Sequence, residues 1–138
     1  MGELLARKML ACRDRIAKLR ASLPADAEEV RRDERLEAFI SFNLFLLVQD
    51  CIDLAAHLVA DRGLALPATH RETFLALAGA GLILRETAAE LGAMAALRNR
   101  IAHSYGDLDP ARMAREAPEG LRAVERFLDE LAGAIVES

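Results

Sequence analysis

The chain has 138 residues, of which 53% are hydrophobic and 29% are charged, which excludes a disordered or fibrous protein. This length predicts one domain over residues 1–138, with a core that needs neither disulfides nor a metal. Aromatic residues make up only 4% of the chain, so the core must be built mainly from Leu, Ala, Ile and Val. Because residues that favour β-strands are sparse, we expect an all-α protein.

The net charge of −4 argues against a broad nonspecific surface for nucleic acid, although a local basic patch can exist on an acidic protein. Cys12 and Cys51 match no metal-ligand or redox spacing, so each is expected to be a buried, reduced thiol. No signal peptide opens the chain, and the longest mostly apolar run, residues 39–48, is shorter than the ~20 residues that a membrane span needs. We expect a cytoplasmic protein with no membrane contact.

The first predicted helix runs from about residue 3 to residue 22. Its apolar residues recur at spacings of three and four, which is typical of an amphipathic helix; they are Leu5, Met9, Cys12, Ile16 and Leu19. Its basic outer face is interpreted as a solvated surface, and we assign no site to it. Asp26 followed by Glu29 predicts a capping box that opens the next helical stretch.

That second stretch, residues 28–61, contains neither Pro nor Gly, and a break is expected near Arg32-Asp33. One apolar stripe predicts its core side: Leu36, Phe39, Ile40, Leu44, Leu47, Cys51, Leu54, Ala55 and Leu58. Phe42, Phe45 and Leu46 add a second apolar side. A helix that is apolar on two sides predicts burial by its own bundle on one side and homodimerisation on the other. Three polar residues of the stretch either line a cleft or form a solvated stripe: Gln49, Asp50 and Asp53.

Gly63 predicts the end of this stretch, and Thr69 with Glu72 predicts a capping box for a short helix over residues 71–78 that Gly79 and Gly81 terminate. The next helix is expected to begin near Leu82, with a core side of Ile83, Leu84, Thr87, Leu91, Met94, Ala95 and Leu97. Asp109 and Pro110 predict the start of the last helix, which Pro118 and Gly120 are expected to interrupt. The pattern predicts an antiparallel bundle of four long helices plus one or two short helices.

Reactive side chains concentrate near the end of the penultimate helix: Arg98, Asn99, Arg100, His103 and Tyr105. Arginine is a permanent cation for phosphate, and histidine titrates near neutral pH. A cation that holds phosphate and an imidazole that moves a proton are what metal-free cleavage of an RNA phosphodiester requires. Taken singly, each residue also has a structural explanation, such as arginines at the negative end of a helix.

The spacing of Arg98 and His103 constrains any shared site. On a regular helix, residues five apart are rotated by about 140° and separated by about 7.5 Å along the axis. The two side chains would therefore point to different faces. A working pair needs either a helix that loosens near His103 or a site that is completed across a dimer axis, and the sequence leaves both open.

Residues 98–105, Arg-Asn-Arg-Ile-Ala-His-Ser-Tyr, resemble the signature of HEPN-domain ribonucleases, in which Arg and a polar residue are followed, after a short gap, by His. With the Tyr two places further on, the motif resembles that of the HepT branch of this superfamily. Residues 36–63 and 74–82 resemble the two HepT segments that precede the motif. The resemblance implies a HEPN-like bundle that forms a homodimer and acts as a metal-independent endoribonuclease. It further implies that this enzyme is the toxin of a bacterial type VII toxin–antitoxin system and cleaves RNA by 2′-hydroxyl attack, with no cofactor.

In that family pattern Arg98 and His103 of both chains are catalytic in a cleft at the dimer interface, and Asn99 takes the polar position. The resemblance also implies a cognate minimal nucleotidyltransferase antitoxin, which transfers AMP from ATP onto Tyr105. Arg100 is not fixed by the signature and either assists RNA binding or is solvated. Two other classes of function remain: a non-enzymatic helical dimer that binds a nucleotidyltransferase, and a domain that holds a nucleotide without cleaving it.

Overall fold

The computed structural model describes residues 2–103 and 108–137, and within these ranges the chain forms six helices and no strand. The helices are α1 (Gly2–Ser22), α2 (Glu28–Arg32), α3 (Glu34–Asp61), α4 (His70–Gly79), α5 (Arg85–His103) and α6 (Pro110–Glu137). Four of them are long, and α2 and α4 are short. The predicted all-α bundle of four long helices plus one or two short ones is confirmed.

The central element is α3, which packs against each of the other five helices. Its predicted core stripe is buried except at Leu36, which is partly buried, and Phe39, which is 40% exposed. In the described part of the chain, α3 is also the helix whose length and composition would suffice to cross a membrane. A helix buried at the centre of a bundle has the same composition, and α3 occupies that position here.

The expected break between α2 and α3 occurs at Asp33, which adopts an extended backbone. Its carboxylate accepts hydrogen bonds from the backbone N–H groups of Arg35 and Leu36, both at 3.1 Å, and so caps α3. At the start of α2 the structure differs from the predicted capping box. The Asp26 side chain accepts from the backbone of Glu28 rather than of Glu29.

Two turns place α4 against α3 and α5 as expected. Gly63 has φ of 66° just after α3, a left-handed conformation that glycine adopts without strain. At the start of α4, Thr69 Oγ1 accepts from the Glu72 N–H at 3.1 Å, while the Glu72 carboxylate accepts from the Ala68 N–H at 3.0 Å. This capping box is confirmed, and it satisfies backbone donors that α4 leaves free.

The prediction that the next helix begins near Leu82 with Leu84 in its core is wrong. The helix α5 begins at Arg85, and Leu84 is 62% exposed. The cause lies in α6, where the Glu130 carboxylate accepts from the Leu84 N–H at 2.5 Å and from Thr87 Oγ1 at 2.7 Å. A side chain of α6 thus holds Leu84, the residue before α5, a contact that local sequence could not indicate.

The expected interruption of α6 at Pro118 and Gly120 is also wrong, because α6 is helical throughout. Proline removes one backbone donor from the helix, and α6 continues past it. Gly120 has a packing role instead, since a Cβ atom there would lie 2.5 Å from Met94 Sδ. The glycine lets α5 and α6 approach closely.

The two cysteines lie far apart in sequence but face each other between α1 and α3. Cys12 and Cys51 are both fully buried, in agreement with the expected buried thiols. The pKa of the Cys51 thiol is raised well above its usual value, first by its hydrogen bond with Cys12 and then by burial. A protonated, enclosed thiol is a poor nucleophile.

We therefore expect neither thiol to react with an aromatic disulfide reagent in the folded protein at neutral pH. Both should react once the chain is unfolded in guanidinium chloride, which serves as the control for reagent and thiol content. Absorbance of the released thiolate measures both reactions. A rate in the folded protein close to that of the unfolded chain would contradict the packing of α1 on α3.

Candidate functional site

The helix α5 places Arg98 against α3, where its guanidinium is held on three sides. Arg98 Nε and Nη2 both donate to Gln49 Oε1, at 3.0 and 2.7 Å. Arg98 Nη1 donates to Asn99 Oδ1 at 2.9 Å. The guanidinium carbon lies 4.7 Å from the centre of the Phe45 ring, a cation–π contact. The position of this cation is therefore fixed by two residues of α3 and one of α5.

These contacts leave Arg98 able to bind an anion. A guanidinium carries five N–H donors, and the hydrogen bonds to Gln49 and Asn99 use three of them, one on each nitrogen. One donor remains on each terminal nitrogen, and a phosphate oxygen can accept from either. All three direct partners are uncharged, so the positive charge of Arg98 is not neutralised by them.

A second layer of charges lies behind Gln49. Gln49 Nε2 donates to Asp53 Oδ1 at 2.9 Å, and Lys8 Nζ of α1 lies 3.6 Å from Asp53 Oδ2 and 3.5 Å from Asp50 Oδ1. Gln49, Asp50 and Asp53 are thus neither an open cleft nor a merely solvated stripe. They connect Arg98 to α1, and the sequence signal was the spacing of four that places residues 45, 49 and 53 on one side of a helix.

His103 is the last residue of α5 and is exposed. Because α5 stays helical from Arg85 through His103, a loosened helix does not bring Arg98 and His103 together within the described residues. Their separation follows the regular helix, about 140° around the axis and about 7.5 Å along it. Within one chain the structure places the two on the same helix but on different faces.

The other candidate residues lie beside this helix. Asn99 is exposed and lines a groove of about 430 Å³ between α5 and the start of α4, to which Arg71 also contributes. Arg100 is exposed and faces a second groove of about 450 Å³ between α5 and α6, together with Arg112 and Glu116. Tyr105 lies outside the described residues. Among the residues that are described, no group of three His, Cys, Asp or Glu side chains could hold a metal ion.

Comparison with solved structures supports the fold over the whole described chain. A tri-AMPylated Shewanella oneidensis HEPN toxin, solved in complex with the MNT antitoxin, superposes with a TM-score of 0.87 and 25% identity, covering 96% of this chain and 99% of that one. YutE from Bacillus subtilis, a cytosolic protein of unknown function, gives a TM-score of 0.84 at 13% identity, covering 97% of this chain and 90% of that one. The second likeness shows the fold alone.

The fold and the arginine–histidine helix therefore define an all-helical protein of the HEPN type. The chain is 26% identical over 129 residues to the mRNA nuclease HepT of Shewanella oneidensis strain MR-1, covering 94% of this chain and 96% of that protein. The family model of HepT-like ribonucleases matches residues 9–131. The chain belongs to the HepT-like ribonuclease family, and the family resemblance noted in the sequence is confirmed.

Proposed function

We propose that this protein is a metal-independent endoribonuclease in which Arg98 and His103 are the catalytic residues. The observation that carries the proposal is the guanidinium of Arg98, held by Gln49 and Phe45 with two donors free and its charge intact. A cation fixed in this way suits a phosphodiester better than a structural ion pair. Membership of a ribonuclease family supports RNA as the substrate.

The proposed reaction is an internal transesterification. The ribose 2′-oxygen attacks the adjacent phosphorus, the bond from phosphorus to the 5′-oxygen breaks, and the products are a cyclic phosphate and a 5′-hydroxyl. His103 either takes the proton of the 2′-hydroxyl or gives one to the leaving oxygen. Arg98 stabilises the charge that develops on the phosphoryl oxygens. Asn99 supports Arg98 through its hydrogen bond, and Arg100 assists RNA binding from the exposed side of α5.

We further propose that the active form is a homodimer. On α3, Phe39 is 40% exposed and Phe42 is 60% exposed. Phe45 on the same helix contacts Arg98. An exposed aromatic patch of this kind is typical of a protein interface. Pairing two copies through it would bring a second α5 to the site, so that Arg98 of one chain could work with His103 of the other.

The regulatory partner that we propose is a minimal nucleotidyltransferase antitoxin, as the AMPylated state and the bound MNT antitoxin of the Shewanella toxin suggest. In the proposed modification Tyr105 Oη attacks the α-phosphate of ATP, a phosphodiester forms and pyrophosphate leaves. We propose that the phosphate added to Tyr105, seven residues after Arg98 in the sequence, competes with RNA for the same cation. The protein would then act in the cytoplasm as the toxin of a type VII toxin–antitoxin pair.

Arg98→Ala is expected to lower the rate of RNA cleavage by on the order of 10³-fold, because a preorganised charge at the phosphate is lost. His103→Ala should lower it by on the order of 10²-fold or more. Gel analysis of a labelled RNA with a chelator present measures both, and both variants should relieve growth arrest. Arg122→Ala, which removes one exposed arginine of α6, is the charge-matched control. Cleavage by His103→Ala at the parental rate would disprove its catalytic role, and a parent without cleavage would favour a binding module.

Phe42→Glu is expected to convert the homodimer into monomers and to abolish cleavage, because a carboxylate would be buried in the interface. Sedimentation velocity measures the mass, and Leu66→Glu at a loop position that is 94% exposed is the control. Mixing the Arg98→Ala and His103→Ala proteins should restore cleavage if each site uses one residue from each chain. Full activity of a monomeric Phe42→Glu variant would refute the shared site.

Incubation with ATP and the cognate nucleotidyltransferase is expected to add adenylate to Tyr105, which is the only tyrosine of the chain. Intact-mass and peptide spectrometry should show the addition in the parent and in Ser104→Ala, and no addition in Tyr105→Phe. Cleavage by the parent should fall as modification proceeds. A neutralised complex without modified protein would point to steric inhibition.

A further inference from the structure

From the contacts around Arg98 we infer that Gln49 is a positioning residue, which orients the Arg98 guanidinium through its side-chain amide while leaving the charge available for phosphate. This inference rests on the proposed function of Arg98. Gln49 does not reach the remaining donors of the guanidinium, so it is not itself placed on the substrate. Its effect on the reaction must pass through Arg98.

Gln49 fixes the geometry of the Arg98 guanidinium. Gln49 Oε1 receives two hydrogen bonds from one edge of the guanidinium, formed by Nε and Nη2. Two bonds to one oxygen, together with the Phe45 ring at 4.7 Å, fix both the plane and the rotation of the group. The remaining donors on Nη1 and Nη2 are thereby held in a fixed direction, as a catalytic cation requires.

Asp53 fixes the orientation of the Gln49 side-chain amide. Gln49 Nε2 donates to Asp53 Oδ1 at 2.9 Å, and a carboxylate can only accept there. If the amide rotated by half a turn, its NH₂ group would face the guanidinium donors and its oxygen would face the carboxylate. Asp53 therefore keeps the oxygen of Gln49 directed at Arg98.

A neutral side chain at position 49 leaves the positive charge of Arg98 intact. A glutamate in place of Gln49 could accept the same hydrogen bonds from Arg98, but it could not donate to Asp53. Its negative charge would pair with Arg98 and compete with phosphate. The nearby carboxylates of α3 are Asp50 and Asp53. Each lies within 3.6 Å of Lys8 Nζ, which offsets part of their charge. The direct partners of the Arg98 guanidinium are the neutral side chains of Gln49, Asn99 and Phe45.

The test compares three variants and one control variant with the parent in single-turnover cleavage of RNA. Gln49→Leu, which removes the acceptor, should slow cleavage by on the order of 10²-fold, with little change in the affinity for an RNA that has a 2′-deoxy sugar at the cleaved position. Gln49→Glu should weaken that affinity by about tenfold as well, because it neutralises Arg98. Asp53→Leu should slow cleavage by about tenfold, because the amide loses its orienting partner. Ala60→Glu, which adds the same charge to an exposed site of α3, should behave as the parent.

Two further measurements separate positioning from a purely structural role. In an Arg98→Ala background, Gln49→Leu should cause no further loss of cleavage, whereas independent effects would multiply. The nitrogen–proton resonance of Arg98 Nε should be protected from exchange in the parent and unprotected in Gln49→Leu. This readout does not use RNA, so a parent that fails to cleave would refute the proposed function while the resonance still decides the positioning. Parental cleavage rates or an unchanged resonance in Gln49→Leu would overturn the inference.

Discussion

Among the described residues, every other helix packs against α3, and the proposed site depends on two different sides of that helix. One side is apolar and forms the core. The next side around the helix carries Phe45, Gln49 and Asp53 at spacings of four, so that a ring, an amide and a carboxylate follow one another along a ridge. Because Arg98 of α5 lies on this ridge, the contact that holds the fold together also orients the cation. Mutations that shift α5 on α3 should therefore affect stability and activity together.

An arginine that is to bind phosphate poses a physical conflict, and the contacts of Arg98 avoid it. A guanidinium held by carboxylates is well fixed but loses much of its attraction for phosphate, whereas a free one keeps its attraction but samples many orientations. Here the direct partners are an amide, a second amide and an aromatic ring, all of which are neutral. The charged residues that stabilise this arrangement lie behind the amide and are paired with Lys8 of α1. The guanidinium of Arg98 is therefore held in one orientation while its positive charge is kept.

Local patterns predicted the helices well, and long-range contacts account for the errors. The spacing of apolar residues predicts all five buried positions of α1. Asp33, Thr69 and Asp109 stand before helices and accept backbone hydrogen bonds there, and Gly63 follows α3 with a positive φ. The sequence places the start of α5 too early, because the contact that holds the preceding Leu84 comes from Glu130, more than forty residues away. It predicts a break at Gly120, because nothing near this glycine in the sequence indicates the approach of Met94. At the site, the motif indicated Arg98 and His103 as candidates, but the pairing of Gln49 with Arg98 joins two helices and appears only in the fold.

The straightness of α5 decides which arrangement of the proposed site is physically consistent. A helix that loosened before His103 would have allowed one chain to bring its arginine and histidine together, but α5 is helical through that residue. The guanidinium is moreover fixed on the α3 side by Gln49 and Phe45, so it cannot swing around the helix to meet the imidazole. In the dimeric site proposed above, the cation and the proton-transfer group would come from the α5 helices of two chains. The exposed aromatic face of α3 adjoins Arg98 through Phe45, so a second chain seated there would bring its own α5 to the free donors of that arginine.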